Sequence, residues 1–273
     1  MHNRGLPIGR DTAASKCGLM PGLALTVQEP TVPTPSTSAL FSPRIAGIIY
    51  LAIIGLGMFG EAYVRGSLVV SGDAAGTAAN ILASQTLWRT GIAGDLLMHV
   101  LDVPLIVFFY LLLKPVSQPL SLLSALLNVV QTCVLAANKL SLVAALLLIK
   151  PLAAAAAGSA HDWSALAYAA INLHGYGFGV GLIFFGFACM VRGYLILKSG
   201  FVPRVLGMLQ VLAGVSYLVN SFALLLSPAL ANALFPVILL PALVGELAIS
   251  LWLIFTKRSL VQSRPLASGI SGP

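Results

Sequence analysis

Charge is what this chain has least of. Of 273 residues only 8% are Asp, Glu, Lys or Arg, where a soluble domain carries about 25% to keep its surface wet. That shortage excludes an ordinary water-soluble fold. Cysteine is scarce as well: Cys17, Cys133 and Cys189 are three in number and widely separated, with no CxxC. A disulfide framework and a thiolate metal cluster are therefore excluded, and the thiols read as small apolar side chains. Also missing are HExxH, GxSxG, a P-loop and a Rossmann fingerprint. Soluble nucleotide-dependent chemistry has no foothold. The net charge of +7 is spread along the chain without a basic patch, which argues against nucleic acid as a partner. Nor is there the period-two alternation of a barrel strand.

What fills the chain is apolar: 58% of residues are hydrophobic and the mean hydropathy is +0.96. The apolar residues fall into six runs, at about 44–64, 90–113, 120–149, 172–197, 204–226 and 235–255. Each is long enough for a helix to cross a hydrocarbon core of about 30 Å. The expected fold class is all-α, a polytopic membrane bundle of six transmembrane helices occupying residues 41–258. Residues 1–40, with the low-complexity run Pro30-Thr-Val-Pro-Thr-Pro-Ser-Thr-Ser38, are expected to form a disordered leader, and 259–273 a flexible tail. The leader lacks a convincing cleavage pattern and is not read as a signal peptide.

Local signals punctuate the spans. Ser42 with Pro43 is a helix start. Lys114-Pro115 and Lys150-Pro151 are stops, and Lys257-Arg258 closes the sixth span. Ser71 or Asp73 is placed to cap a short helix within the loop 67–88, expected as a packing lid over the bundle. The loop 151–162 is alanine-rich, and the fourth span could extend back to Trp163. Pro43-Arg-Ile-Ala-Gly47 echoes Pro203-Arg-Val-Leu-Gly207; both helices enter from one side, where arginine snorkels and glycine permits close packing. The echo separates four spans and does not divide six into two repeats. Gly175, Gly177, Gly179 and Gly181 form small-xxx-small pairs expected to pack against neighbours.

The basic residues orient the bundle. Arg44, Lys114, Arg192, Lys198, Arg204, Lys257, Arg258 and Arg264 fall on one side, with Arg65, Arg89 and Lys150 on the other. By the positive-inside rule both termini are expected in the cytoplasm, with the protein in a bacterial inner membrane.

A few ionisable groups interrupt the spans. Asp95, His99 and Asp102 stand at i, i+4 and i+7, one face of a helix. Lys139 lies inside the third span, Glu246 inside the sixth, Glu61 near the outer end of the first and His174 near that of the fourth. Lipid exposure would cost several kcal/mol per charge (about 3 on insertion scales), so these groups should face inward and converge in the outer half. Depth matches Lys139 to Asp102. That pair would either fix the register of two helices or form an anion-binding or proton-handling centre. His99, flanked by two acids, has the surroundings of an acid–base group. Asp95, His99 and Glu246 are the catalytic candidates for an intramembrane enzyme; Glu61, Asp102, Lys139 and His174 are the ligand-binding candidates. No metal site is assigned, since two histidines without ligand spacing do not make one, and no cofactor is specified. Asn128, Gln131, Asn138 and Asn220 read as interhelical hydrogen-bond groups.

The order of landmarks resembles a known family. Pro43-Arg44, Gly60-Glu61 with Arg65, Gly72-Asp73-Ala-Ala, Asn80-Ile-Leu-Ala-Ser84, His174-Gly-Tyr-Gly-Phe178, Ser199-Gly-Phe-Val-Pro203-Arg204 and Leu240-Pro-Ala-Leu-Val-Gly-Glu246 are similar to an uncharacterised bacterial multi-pass membrane family, domain of unknown function 4386. The resemblance spans about residues 40–257 and implies a multi-pass helical membrane protein, with no activity to carry over. The expected function is binding of a small or lipid-like molecule in the outer half of the membrane. The alternatives are an intramembrane enzyme, and a transporter or accessory subunit of another membrane protein. Membrane lipid is the one partner that every reading shares.

Overall fold

The computed structural model describes residues 42–149 and 157–256, with the side chains of 157–162 outside that description. The expected leader 1–40, Cys17, the stop at Lys150-Pro151, the closure at Lys257-Arg258 and the tail 259–273 all lie outside the described residues.

Among the described residues the fold is all-α, with six helices long and apolar enough to cross a membrane. They are α1 (Pro43–Leu68), α3 (Gln85–Leu113), α4 (Gln118–Ile149), α5 (Ala157–Ser199), α6 (Arg204–Leu226) and α8 (Val237–Phe255). Two shorter helices, α2 (Ala74–Ala83) and α7 (Pro228–Leu234), connect them. The start of α1 is as expected: the Ser42 hydroxyl accepts from the Ile45 amide at 3.3 Å, with Pro43 in the first turn. Asp73 rather than Ser71 caps α2, accepting from the Gly76 amide at 2.8 Å. Two spans begin earlier than the hydropathy suggests. Helix α3 starts at Gln85 because the run through Trp88 is helical, and α5 starts at Ala157, so much of the expected loop 151–162 is helix.

The spans close into a ring. Helix α1 packs on α3, α3 on α4, α4 on α5, α5 on α6, α6 on α8, and α8 returns to α1. A heptad-like spacing drives this arrangement on α3, where Asp95, His99, Asp102, Ile106, Phe109 and Leu113 are buried while Leu96, Val100, Val103 and Val107 are exposed to lipid. On α4 the same spacing buries Ser121, Ser124, Asn128, Leu135, Lys139, Leu142 and Leu146. Membrane association gains nothing from the hydrophobic effect between apolar faces, so polar groups turn inward and apolar ones stay in lipid.

Two apolar layers bracket the polar interior. One gathers Tyr50, Phe108, Phe109, Leu195, Ile196, Ile249 and Leu253. The other gathers Val64, Ile81, Trp88, Leu142, Ile149 and Ile171. Helix α2 folds into that second layer through Ala78 and Ile81. The Gly72 amide donates to the Tyr168 hydroxyl at 2.8 Å, and the Trp88 indole N–H to the Leu142 carbonyl at 3.2 Å.

Glycine sets the closest crossing, at the expected Gly207 and at Gly186, Gly193 and Gly214, which the sequence reading does not single out. A Cβ on Gly193 would lie 2.7 Å from the Gly207 carbonyl oxygen, and one on Gly207 would lie 2.9 Å from that of Gly193. Gly186 and Gly214 repeat the arrangement one heptad away. Backbone meets backbone along this α5–α6 seam. Of the four glycines expected to pack, Gly177 and Gly181 face α4, Gly179 faces Leu224, and Gly175 has open space. Gly207, in the echoed motif, does make its close contact, and Gly47 makes its own against the Ser250 carbonyl.

Candidate functional site

Helix α1 does not stay regular. Residues Phe59–Arg65 form a π-helical turn, and the one-residue phase shift swings Arg65 towards the interior. Its side chain is 9% exposed, although the sequence places it among the outer span-end charges. Arg65 Nε donates to Glu61 Oε2 at 2.7 Å, and Nη1 donates to Asp95 Oδ2 at 2.7 Å. Gly60 makes room for this pairing: a side chain there would collide with the Asp95 carboxylate.

Asp95 is the hub. Besides Arg65 it takes the Lys139 ammonium on Oδ2 at 3.0 Å. Lys139 also reaches His174 Nε2 at 3.1 Å. An ammonium only donates, so Nε2 of His174 accepts and the ring is neutral with its proton on Nδ1. Asn138 holds the next contact, donating from Nδ2 to the His174 backbone carbonyl at 2.8 Å, in a space that Gly177 leaves clear. A chain Glu61–Arg65–Asp95–Lys139–His174 thus joins α1, α3, α4 and α5. Two carboxylates balance two cations within it, which is how buried charge becomes tolerable in lipid.

The expected Lys139–Asp102 pair is not formed, and Lys139 binds Asp95 instead. Asp95 stands ten residues after the start of α3 at Gln85, and Lys139 ten before the end of α4 at Ile149. A helix start assumed near residue 90 moved the apparent match one or two turns deeper. Asp102 takes different partners: Thr132 Oγ1 donates to its Oδ2 at 3.2 Å, and His99 Nδ1 lies 3.3 Å from the same oxygen. The sequence stripe therefore splits into an ion-pair hub at Asp95 and a histidine–carboxylate dyad at His99 and Asp102.

His99 is 3% exposed, and its Nε2 has no partner. A carboxylate accepts only, so Nδ1 carries the proton towards Asp102, and in the neutral ring Nε2 is then an acceptor without a partner. Such a nitrogen can accept a hydrogen bond or a proton, and burial without a partner is costly.

The third catalytic candidate belongs elsewhere. Glu246 Oε1 accepts from the Tyr217 hydroxyl at 2.6 Å, an α6–α8 contact. Asp95 is engaged by two cations, His99 by Asp102 and Glu246 by Tyr217, and among the described residues no hydrogen bond or ion pair joins the three directly. Glu61, at 50% side-chain exposure, forms the outer rim of the network. Among the described residues no three His, Cys, Asp or Glu side chains gather into a group able to hold a metal ion. Cys133 faces outward and Cys189 is buried, both as free thiols. Of the expected interhelical amides, Asn138 bridges helices, whereas Gln131 Oε1 lies 3.3 Å from the hydroxyl of its neighbour Thr132, competing with Asp102 for its one proton.

Sequence reasoning missed Arg65 and Arg192. Both were counted as span-end charges, and both are buried. Arg192 is 4% exposed, with its guanidinium over the ring of Phe109 at 4.7 Å. For Arg192 a signal was present: it shares the spacing of His174, Leu182, Cys189 and Ile196, all buried on α5.

With this architecture in hand, similarity to known proteins agrees with it. The family profile described as Domain of unknown function (DUF4386) matches residues 45–256. The chain belongs to the DUF4386 family. This DUF4386 protein is also similar to an "Uncharacterized protein" of Archaeoglobus fulgidus, 27% identical over 169 residues that cover 62% of this chain and 85% of that one. No solved structure matches. The family region contains the whole network from Glu61 to Glu246, and the family description assigns it no activity.

Proposed function

We propose that this integral membrane protein binds a small or lipid-like molecule in the outer half of the membrane, with His99 as the contact that recognises it. The observation that carries the reading is the unpartnered, buried Nε2 of His99 beside a carboxylate that fixes its tautomer. The complementary ligand offers a hydrogen-bond donor, a hydroxyl or an ammonium, on an otherwise apolar body. The neighbouring Glu61–Arg65–Asp95–Lys139 network is electrically balanced, which favours a neutral or zwitterionic ligand there over a bare anion. We place the protein in a bacterial inner membrane with both termini in the cytoplasm, on the strength of its basic loops. The enzyme reading is weaker, because Asp95, His99 and Glu246 each have other partners.

The test is purification of the full chain in mild detergent, with co-purifying lipids and metabolites identified by native mass spectrometry. His99→Phe keeps a planar ring and removes the acceptor. At equal recovery of monodisperse protein, the variant should lose a species that the wild type retains. Identical profiles would remove His99 from any binding site.

A further inference from the structure

The end of the bundle away from the ion-pair hub carries a cleft that nothing above uses. It lies where the turn 200–203 between α5 and α6 meets the last turn of α8, and measures about 500 Å³. Phe201, Pro203, Arg204 and Trp252 are among its walls. Local sequence builds the turn. Gly200 reverses the chain at φ +72°, which a residue without Cβ adopts freely, and the Val202 amide donates to the Ser199 hydroxyl at 3.3 Å. Val202 is 4% exposed and packs into the apolar layer of Leu206 and Leu253. The turn is thereby pinned to the bundle, and it leaves the side chain of Arg204 exposed at the rim.

Charge at this end has one sign. Arg44, Lys114, Lys198 and Arg204 are all exposed here. Among the described residues no acid stands within two turns of a helix end on this side. Helix α8 lies between α1 and α6, with Gly47 against Ser250, so Arg44 and Arg204 flank its last turn. The chain supplies no counter-ion from beyond the described residues either. Residues 257–273 hold three basic side chains, Lys257, Arg258 and Arg264, and no acid, and residues 1–41 are basic on balance. The membrane does supply one. A phosphodiester lies at the depth of a span end, where an interfacial ring such as that of Trp252, three residues before the end of α8, also sits. A guanidinium fits phosphate oxygens in pairs, and the cleft is within the roughly 300–1,000 Å³ of small-molecule sites. The exposed apolar side chains of Val205 and Phe255 continue from it into the lipid region, which a free anion would not need.

We propose that this cleft binds the headgroup of an anionic phospholipid, with the phosphate on Arg204 and the glycerol region against Trp252. Arg44 adds attraction from the other flank of α8. The site is separate from His99 and does not depend on what His99 recognises.

The experiment places the full-length protein in vesicles of equimolar phosphatidylglycerol and phosphatidylcholine, with brominated acyl chains on one lipid or on the other. Bromine quenches a tryptophan only at close contact, and the difference between wild type and Trp252→Phe isolates Trp252. Surface charge is the same in both vesicles, so random contact quenches equally. Occupancy of the cleft makes brominated phosphatidylglycerol the stronger quencher, with a relative affinity of about fivefold or more, the contribution of one interfacial arginine. Arg204→Gln should bring that ratio close to one and Arg44→Gln should lower it less, whereas Arg89→Gln at the opposite end and His99→Phe should leave it unchanged. Native mass spectrometry from mixed micelles of the same two lipids is the second readout, and it needs no tryptophan variant: wild type should retain phosphatidylglycerol and Arg204→Gln should lose it. Equal quenching by the two lipids, or a preference that survives Arg204→Gln in both readouts, would overturn the proposal. So would loss of the preference on adding inorganic phosphate, which assigns the cleft to a free anion, or a preference that arises only after residues 259–273 are deleted, which assigns it to the chain's own tail.

Discussion

Asp95 should matter more to the bundle than any other described ionisable residue, because among the described residues it alone touches two cations. Asp95→Asn strips Lys139 of its carboxylate and leaves Arg65 with Glu61 at the half-exposed rim. Breaking a buried pair from one side costs about 3–5 kcal/mol, since the surviving charge is stranded. In membranes the unfolded reference finds other partners, and single polar contacts average about 0.6 kcal/mol. Between these limits, with Lys139 stranded and Arg65 left with one carboxylate of two, the loss should be about 2–4 kcal/mol. Lys139→Met leaves Asp95 on Arg65 at 2.7 Å and should cost less, about 1–2 kcal/mol. In the double variant the stranded ammonium is gone, so the combined loss should fall short of the sum by about 1 kcal/mol or more. Reversible unfolding in mixed micelles, followed by circular dichroism, measures all four corners of the cycle. Asp102→Asn with Lys139→Met is the control and should be additive within about 0.5 kcal/mol. If Asp95 and Lys139 prove additive while Asp102 and Lys139 couple, the register of α3 against α4 is wrong.

Two further outcomes follow from the same structure. Reporters inserted after Lys114, after Gly200 and at the C-terminus should read cytoplasmic and one near Gly76 external; a cytoplasmic reading at Gly76 in stable full-length protein reverses the orientation. Gly193→Ala and Gly207→Ala each put a methyl against backbone and should cost about 1–3 kcal/mol, whereas Gly175→Ala enters open space and should be neutral or slightly stabilising. Equal effects at all three positions in the same unfolding assay would discount the α5–α6 seam.

The bundle was legible because lipid imposes a coarse rule: about 20 apolar residues make a crossing, and an error of five residues at an end leaves the count unchanged. Pairing is finer. An error of five residues at the start of α3 is more than one helical turn, enough to hand Lys139 to Asp102 in place of Asp95. The inward stripe itself survived that error, since the spacing of Asp95, His99 and Asp102 depends on helical phase and not on where the helix begins. Phase fails only where the helix is irregular. That is why Arg65 could not be found by counting: the π-helical turn from Phe59 to Arg65 shifts the face by one residue, and no 3.6-residue period predicts it.

Arg65 and Arg192 also expose an ambiguity in reading charge along a membrane chain. Positive residues near span ends set orientation, and positive residues inside a bundle mark sites, yet a distance of about two turns separates the cases. Helical face resolves them. Lys198 and Arg204 are not among the buried side chains, while Arg192 falls on the buried register of α5. Removing the two buried arginines from the topology count leaves Arg44, Lys114, Lys198, Arg204, Lys257, Arg258 and Arg264 against Arg89 and Lys150. The bias is preserved, so the orientation argument never needed them. An arginine that topology does not need, 4% exposed and with its guanidinium over the ring of Phe109, is placed by helical face and not by its distance from a span end.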